Sequence, residues 1–327
     1  MREPFLPSQA SRLRLQGLAA VVAATLLWSL SAVAIAALFR EGVRPLQLVQ
    51  LRVYITAIGL GAVVLWRRRL EPRTRLRDIR WSLIFGLAVS VAMATTFLLL
   101  AINYLPVAVA LVLQSVASAM VMGWTLLSSR RWPRRLAVAG VVLTLGGVAL
   151  VVQLPAANMG DIDALGLLYG LGAAAGVAGL SVFGSRAAAT AGAGRANALA
   201  FSLVGIGWIL VQSPQGVPAL LTEPQHLAWV AAIGVFGTIG PFVLFAWGTA
   251  RLGPEAGAVD ISLEPVFGAV IAWAWLGQSL TAMQVTGVSL VVLGVVCVER
   301  DASAGGGPRG GLSGRSKEER KLSTMRR

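Results

Sequence analysis

The sequence predicts an all-α integral membrane protein of ten transmembrane helices, arranged as two inverted five-helix repeats. The first observation is the composition: 56% of the 327 residues are hydrophobic and only 13% are charged, whereas a soluble domain has about 25% charged residues. The second is a series of apolar runs, each close to the roughly 20 residues that an α-helix needs to cross the hydrocarbon layer. The third is a similarity between the two halves of the chain.

The apolar runs define ten predicted spans, at 17–39, 45–66, 81–103, 106–128, 134–153, 164–186, 196–213, 227–250, 254–276 and 282–299. None alternates in the manner of barrel strands, so helices are the expected spanning structure. The connections at 103–106 and 251–254 are very short, and each ends in a proline, which suits the first turn of the next helix.

The spans divide the chain into four segments. Residues 1–14 form an N-terminal segment, and residues 15–153 and 164–299 form the two predicted repeats. Residues 300–327 are rich in glycine, serine and charge. This composition predicts a disordered basic tail.

The distribution of basic residues predicts the orientation of the chain. If the chain crosses the membrane ten times, 25 of its 28 Lys and Arg residues lie on one side and Arg52 lies inside the second span. The other side has only Arg40 and Arg44, together with a loop that contains Asp161 and Asp163. Both termini are therefore expected in the cytoplasm, with the protein in the inner or plasma membrane. Because the basic residues are spread between apolar blocks, the net charge of +14 does not indicate nucleic-acid binding.

Spans three to five resemble spans eight to ten. The matches keep one order along three spans: Trp81 with Trp229, Gly86 with Gly234, Pro106 with Pro254, residues 113–116 with 263–266, Gly140 with Gly287, and Gly147 with Gly294. Since each half has five helices, an odd number, the second half has to be inverted relative to the first. Inverted repeats are typical of secondary transporters, whose substrate binds between the repeats; symmetric channels and scaffolds are the alternatives.

The chain has few residues that support catalysis or metal binding. Cys297 is its only cysteine and His226 its only histidine. A disulfide within the chain, a zinc cluster and a Cys–His nucleophile pair are therefore all excluded. We expect no cofactor, no metal and no enzymatic activity.

The second half carries the clearest family resemblance. It contains Leu-Gly-Pro-Glu-Ala-Gly at 252–257, Leu-Glu-Pro-Val-Phe-Gly-Ala at 263–269 and Trp-Ala-Trp-Leu-Gly at 273–277, and the first half adds Trp28, Ser29 and Arg52. These segments resemble EamA-type members of the drug/metabolite transporter superfamily. The resemblance implies ten helices around a central cavity and the export or import of small metabolites. The chain departs from that pattern at Gln278, where Glu is common, and at residues 114–115, where Glu-Pro is frequent.

Three ionisable residues lie within predicted spans: Arg52, Asp260 and Glu264. Such residues usually face the bundle interior and are functional. Asp260 and Glu264 are four residues apart, so they share a helix face, and Pro265 leaves one backbone acceptor free and favours a kink. We expect the three charged residues to bind substrate or protons. The alternatives are an ion pair of Arg52 with Glu264 that only holds the helices together, and an Asp260 that is simply hydrated near the interface.

Four uncharged residues complete the predicted site. Gln114 and Ser118 occupy the face of span four that is equivalent to the carboxylate face, and Trp28 and Trp247 offer rings that can stack on a substrate. Ordinary hydrogen bonding between helices and ordinary placement of Trp at the membrane interface are the respective alternatives.

Span eight contains a predicted helix break at Gly240 and Pro241, next to Thr238. Broken helices in membranes line cavities. Together these features predict an alternating-access carrier, namely an exporter with proton coupling or substrate exchange. Its expected partners are a small-molecule substrate and membrane lipid, with no nucleic acid. A homodimer is a further candidate assembly. A membrane enzyme that acts on a lipid or isoprenoid substrate and a membrane scaffold or sensor are the rival hypotheses.

Overall fold

The computed structural model describes residues 7–67, 79–129, 135–151, 163–211, 224–252 and 255–305, and within these ranges it contains helices and no strand. The α-helices are α1 Pro7–Arg40, α2 Pro45–Arg67, α3 Trp81–Tyr104, α4 Val107–Ser115, α5 Ala117–Ser129, α6 Arg135–Val151, α7 Ala164–Ala191, α8 Ala193–Val211, α9 Pro224–Gly234, α10 Gly240–Leu252, α11 Glu255–Leu276 and α12 Ala282–Gly305. A π-helical turn, Val235–Ile239, joins α9 to α10.

Seven stretches of these helices are long and apolar enough to cross a membrane: Leu15–Arg40, Pro45–Trp66, Trp81–Tyr104, Val107–Trp124, Ala164–Ala191, Ala193–Val211 and Ala228–Phe245. Three shorter apolar helices accompany them: Val138–Val151, Leu263–Leu276 and Ala282–Cys297. The sequence prediction of an all-helical, multi-pass membrane protein is therefore confirmed.

Several elements differ from their predicted bounds, among them the fourth span, α1 and α12. The fourth predicted span is divided at Val116, whose amide donates to the Leu113 carbonyl at 3.2 Å in a tight turn. Helix α1 begins at Pro7, inside the segment predicted to precede the first span, because proline is well tolerated in the first turn of a helix. Helix α12 continues to Gly305, past the end of the predicted span at residue 299; good helix formers in this stretch, such as Ala302 and Ala304, favour the extension. The rest of the predicted tail lies outside the described residues.

Side chains cap three of the described helices, and at the start of α4 the Gln278 Oε1 accepts a hydrogen bond from the Val107 amide at 3.1 Å. Asp163 accepts hydrogen bonds from the amides of Leu165 and Gly166, at 2.9 and 3.0 Å, at the start of α7. Thr281 and Gln284 form a reciprocal capping box before α12, in which each side-chain oxygen accepts a hydrogen bond from the other residue's amide. These bonds satisfy amides that a helix start would otherwise leave without partners.

The bundle is held together by a few dominant helix pairs. Helix α3 packs on α7, α2 on α8, and α1 on both α10 and α11. Glycines allow the backbones to approach closely: a Cβ on Gly176 would overlap the backbone of Ala94, and one on Gly179 would overlap the side chain of Ser90. Small residues of this kind are the usual basis of helix association in membranes, where the hydrophobic effect between helices is weak.

The closest reciprocal contact joins α6 and α12. A Cβ on Gly147 would lie 2.6 Å from the Gly287 carbonyl oxygen, and a Cβ on Gly287 would lie 2.6 Å from the Gly147 carbonyl oxygen. Further along the same helix pair, a Cβ on Gly294 would lie 2.6 Å from the Gly140 carbonyl oxygen. Because the residue numbers rise on one helix as they fall on the other, α6 and α12 are antiparallel.

Candidate functional site

A cavity of about 740 Å³ lies inside the helix bundle. Its wall is formed by α1, α2, α3, α4, α7, α8, the π turn, α10 and α11. Most of the lining side chains are apolar, and a small set of polar and charged groups interrupts them: Ser31, Arg52, Thr56, Thr95, Gln114, Ser185, Asn197, Thr238 and Glu264. A largely apolar pocket with a few convergent polar groups is the common form of a small-molecule site.

Arg52 connects α2 to the π turn. Its Nε donates to the hydroxyl of Thr238 at 2.9 Å, and its Nη2 donates to the carbonyl of Gly237 at 3.3 Å. The Thr238 hydroxyl in turn donates to the Ile233 carbonyl at 3.5 Å. A π turn displaces backbone carbonyls from the regular helical pattern and is frequent at functional sites. The planar guanidinium is suited to bonding two oxygens at once, here one hydroxyl and one carbonyl.

Glu264 lies on α11 and also lines the cavity. Its charge interacts electrostatically with that of Arg52. The backbone of this residue is fixed as well, because the Ser29 hydroxyl of α1 donates to the Glu264 carbonyl at 3.1 Å. Helix α11 runs through Pro265 without interruption. Asp260 belongs to the same helix, but its side chain lies outside the described residues.

Aromatic rings form the apolar part of the wall. Trp28 meets Phe242 edge to face, with ring centroids 5.4 Å apart, and lies 5.5 Å from Phe245. Phe201 of α8 contacts Phe242 at 6.4 Å. Trp28 therefore stands at the centre of a cluster that presents ring surfaces to the cavity, next to the polar π turn.

The predicted site residues fall into two groups. Trp28, Arg52, Gln114 and Glu264 line one cavity, although they come from four helices. Gly240 and Pro241 begin α10 directly after the π turn, so the structural irregularity lies just before the predicted break.

The remaining two predicted residues lie elsewhere. Ser118 is buried and donates to the Ser115 carbonyl at 3.0 Å, and it is not among the residues that line the cavity. Trp247 is 41% exposed, with the Arg251 guanidinium 3.4 Å from its ring centroid and a 2.9 Å hydrogen bond from that guanidinium to its carbonyl. This cation–π pair lies at the end of α10, in keeping with an interfacial Trp.

Several lining residues were missed by the sequence prediction. Ser31, Thr95 and Asn197 are polar residues inside apolar helices, which is the signal that points to a bundle interior. Phe242 and Phe245 are three residues apart after the predicted break, so they share one helix face. Their contact with Trp28 could not be predicted from the sequence, because Trp28 lies in a distant part of the chain.

The residues that line the cavity differ in exposure between its two ends. At the end near the α7–α8 connection, the lining residues Ser185 and Ala193 are exposed. At the opposite end, the lining residues Ile35, Val49 and Ile102 are buried. The cavity lining is therefore exposed near the α7–α8 connection and buried near the α1–α2 connection.

The comparison with protein families decides the class of the molecule. The model of the EamA-like transporter family matches residues 15–153 and again residues 164–300. The chain belongs to the EamA-like transporter family. As a multi-pass helical protein with an internal cavity, this EamA-like chain has the architecture expected of a membrane transporter.

Individual relatives agree with the family assignment. The EamA-like chain is 26% identical over 266 residues to the uncharacterized transporter YwfM of Bacillus subtilis strain 168, a match that covers 80% of this chain and 86% of that protein. An uncharacterized transporter of Archaeoglobus fulgidus is 27% identical over 73 residues, covering 22% of this chain and 27% of that protein. A solved crystal structure matches with a TM-score of 0.57 and 20% identity, over 90% of this chain and 98% of that chain, and this match shows the fold alone.

Proposed function

We propose that this protein is a secondary transporter that moves a small metabolite across the cytoplasmic membrane by alternating access. The observation that carries the proposal is the cavity of about 740 Å³, enclosed by apolar helices and holding Arg52 and Glu264 on its wall. Charged residues are costly within a membrane and are retained there mainly for a function. A volume of this size suits a small organic molecule.

The contact between α6 and α12 supports the inverted repeat. The repeat matches Gly140 with Gly287 and Gly147 with Gly294. If each residue of the Gly147–Gly287 contact is replaced by its equivalent in the other half, the result is a contact between Gly294 and Gly140. Both contacts are present, at the same 2.6 Å from Cβ position to carbonyl oxygen. Two equivalent helices packed antiparallel around a local two-fold axis are what two inverted halves, 15–153 and 164–299, would produce.

Helix packing outside that pair supports the same symmetry. The packing of α3 on α7 has its counterpart in the packing of α10 on α1, if span three corresponds to span eight and span one to span six. Gln114 and Glu264, which the repeat also matches, both line the cavity. The equivalent positions therefore carry an amide in the first half and a carboxylate in the second.

The exposed lining near the α7–α8 connection supports an inward-facing state. The α7–α8 connection, where the lining is exposed, lies next to Arg186 and Arg195, on the side that carries most of the basic residues. By the positive-inside rule this side is cytoplasmic. A cavity loaded from the cytoplasm suits an exporter.

Coupling to protons or to exchange follows from the charges. Arg52 and Glu264 both line the cavity, and the sequence places a second carboxylate, Asp260, one helical turn before Glu264. Since one cation offsets one negative charge, the carboxylate pair is the proposed site of proton exchange. Substrate binding in such a site alters the same charge balance. This gives the transporter a means of linking substrate movement to a proton gradient.

A metabolite comparison tests the proposed function. Medium and cytosol are compared between a deletion strain, a strain that overexpresses the protein, and strains that overexpress Arg52→Ala or Trp247→Phe at equal membrane levels. We expect one compound or class of compounds to accumulate in the medium of the strains that overexpress the wild type or the Trp247→Phe control. The same compound should accumulate in the cytosol of the deletion strain and of the strain that overexpresses Arg52→Ala. Identical profiles in all four strains would exclude a transport function for this cavity.

A further inference from the structure

The turn that follows α11 is fixed by its own backbone. Gly277 has a φ of +66°, in the left-handed region that favours glycine. The amides of Gly277 and Gln278 donate back to the carbonyls of Trp273 and Ala272, both at 3.2 Å. Gln278, which is half-buried, is therefore held against the end of α11, and its side chain starts from a defined position.

The side chain of Gln278 bonds a different helix. Its Oε1 accepts a hydrogen bond at 3.1 Å from the amide of Val107, the first residue of α4. An amide in the first turn of a helix has no partner within that helix, and Val107 is fully buried. Gln278 therefore satisfies this amide while the two elements are in contact, and water can take its place once they separate.

Arg40, the last residue of α1, bonds the same end of α11. Its Nη1 donates to the carbonyl of Leu276 at 2.9 Å. The carbonyl of the last residue of a helix has no partner within that helix, and the negative end of the helix dipole attracts the guanidinium. Since this bond is exposed, water competes for it more strongly than for the bond of Gln278.

Both bonds join the two halves of the chain. Arg40 and Val107 belong to the first EamA-like half, whereas Leu276 and Gln278 belong to the second. The end of α11 is thus bonded to α1 on one side and to α4 on the other. A movement that separates the halves at this end of the bundle has to break both bonds.

The two bonds lie near the α1–α2 end of the cavity. Ile35 is five residues before Arg40 on α1, and Ile102 is five residues before Val107. Both isoleucines line the cavity, and both are buried. The bonds therefore accompany the part of the cavity lining that is shielded from solvent.

We propose that Gln278 and Arg40 form a latch that holds the two halves together at the α1–α2 end of the cavity and is released when that end opens. The inference rests on the proposed alternating-access function, in which two inverted halves move against each other. One net hydrogen bond changes an equilibrium constant by roughly two- to tenfold. Such a latch biases the equilibrium towards the latched state and still allows the bonds to break in every transport cycle.

Cysteine labelling tests the latch without substrate and without transport. The reporters are Ile102→Cys near the latch and Ser185→Cys in the exposed lining near the α7–α8 connection, each combined with Cys297→Ser. Fluorescein maleimide reacts with the purified protein in lipid nanodiscs, in which both membrane faces are accessible. Gln278→Ala should raise the labelling rate of Ile102→Cys at least about twofold, without raising that of Ser185→Cys.

Three further variants separate release of the latch from a loss of folding. Arg40→Gln should raise the labelling rate of Ile102→Cys by a smaller factor than Gln278→Ala does. Gln278→Glu keeps an acceptor oxygen for the Val107 amide and should retain the wild-type rate. Arg44→Gln is the matched control, because Arg44 is an exposed cation beside the α1–α2 connection whose side chain makes no hydrogen bond in the described structure.

Two results would overturn the latch. One is an unchanged labelling rate of Ile102→Cys in Gln278→Ala, and the other is faster labelling of both reporters, which indicates a general loosening of the bundle. If the wild type shows counterflow in either case, the proposed function stands and only the latch fails. Faster labelling of Ile102→Cys alone, in a protein without counterflow, would support the latch and contradict the proposed function.

Discussion

Arg52 and Thr238 are joined by a 2.9 Å hydrogen bond from the guanidinium Nε to the threonine hydroxyl. This bond links α2 to the one π-helical turn in the described part of the chain, at the wall of the cavity. A second bond, to the carbonyl of Gly237, fixes the plane of the guanidinium. The cation is thus positioned by an irregular backbone segment as well as attracted by the carboxylate of Glu264.

The two bonds predict the effect of changing Arg52. A lysine retains the charge but cannot replace a planar fork that bonds two oxygens, and an alanine removes both functions. We expect transport to fall in both variants, and Arg52→Ala to be impaired more than Arg52→Lys, when initial rates are measured at equal protein levels. Equal and mild losses would indicate that Arg52 has no role in the site.

Glu264 provides a test of proton coupling. Glu264→Gln keeps the size of the side chain and removes its ability to carry charge. We expect this variant to lose accumulation driven by an imposed pH gradient in reconstituted vesicles, while part of the substrate exchange remains. Asp260→Asn should weaken coupling less. If wild-type flux ignores the gradient and both variants behave like the wild type, the coupling hypothesis is wrong.

The α6–α12 contact predicts which glycines are essential for stability. Gly147 faces the Gly287 carbonyl at 2.6 Å, whereas Gly146, its neighbour, has no atom within 4 Å of a Cβ position. Gly147→Leu should therefore force the helices apart and lower the free energy of unfolding by at least about 1–3 kcal/mol. Gly146→Leu is the matched control and should be nearly neutral. Thermal unfolding of the purified proteins in one detergent measures both, and similar losses would contradict the close packing.

The orientation of the chain is testable with reporters. Fusions after residue 300 and within 67–80 should report a cytoplasmic location, and a fusion near Asp161 should report an external one, because basic residues are retained on the cytoplasmic side. Alkaline phosphatase and fluorescent-protein activities give opposite signals for the two locations. An external C-terminus would require an odd number of crossings and would exclude the inverted repeat.

The extent of the helices was largely predictable from the sequence. Apolar run length determines where a helix can cross a membrane, and α2 and α3 therefore end within one residue of their predicted bounds. The turn at Val116 was not predictable, because it occurs at an ordinary apolar residue with no Gly or Pro beside it. The extension of α12 was missed because composition does not distinguish a short helical continuation from a disordered tail.

The site was predictable only in part, because a linear pattern does not determine how each helix is rotated. Trp28 and Trp247 have similar apolar surroundings in the sequence, yet Trp28 lies in the cavity wall and Trp247 pairs with Arg251 at a helix end. The sequence suggested a carboxylate as the partner of Arg52, but its hydrogen bonds to the π turn depend on a backbone irregularity that only the three-dimensional structure reveals.

Counterflow tests alternating access most directly. Purified protein is reconstituted into vesicles that are loaded with a high concentration of the unlabelled substrate from the metabolite comparison, and the uptake of a trace of labelled substrate is followed over time. A carrier that exposes one cavity to each side in turn exchanges the two pools. The account predicts a transient accumulation of label above equilibrium, lost in Arg52→Ala and preserved in Trp247→Phe. Simple equilibration of the label, with the same time course in preloaded and empty vesicles, would contradict it.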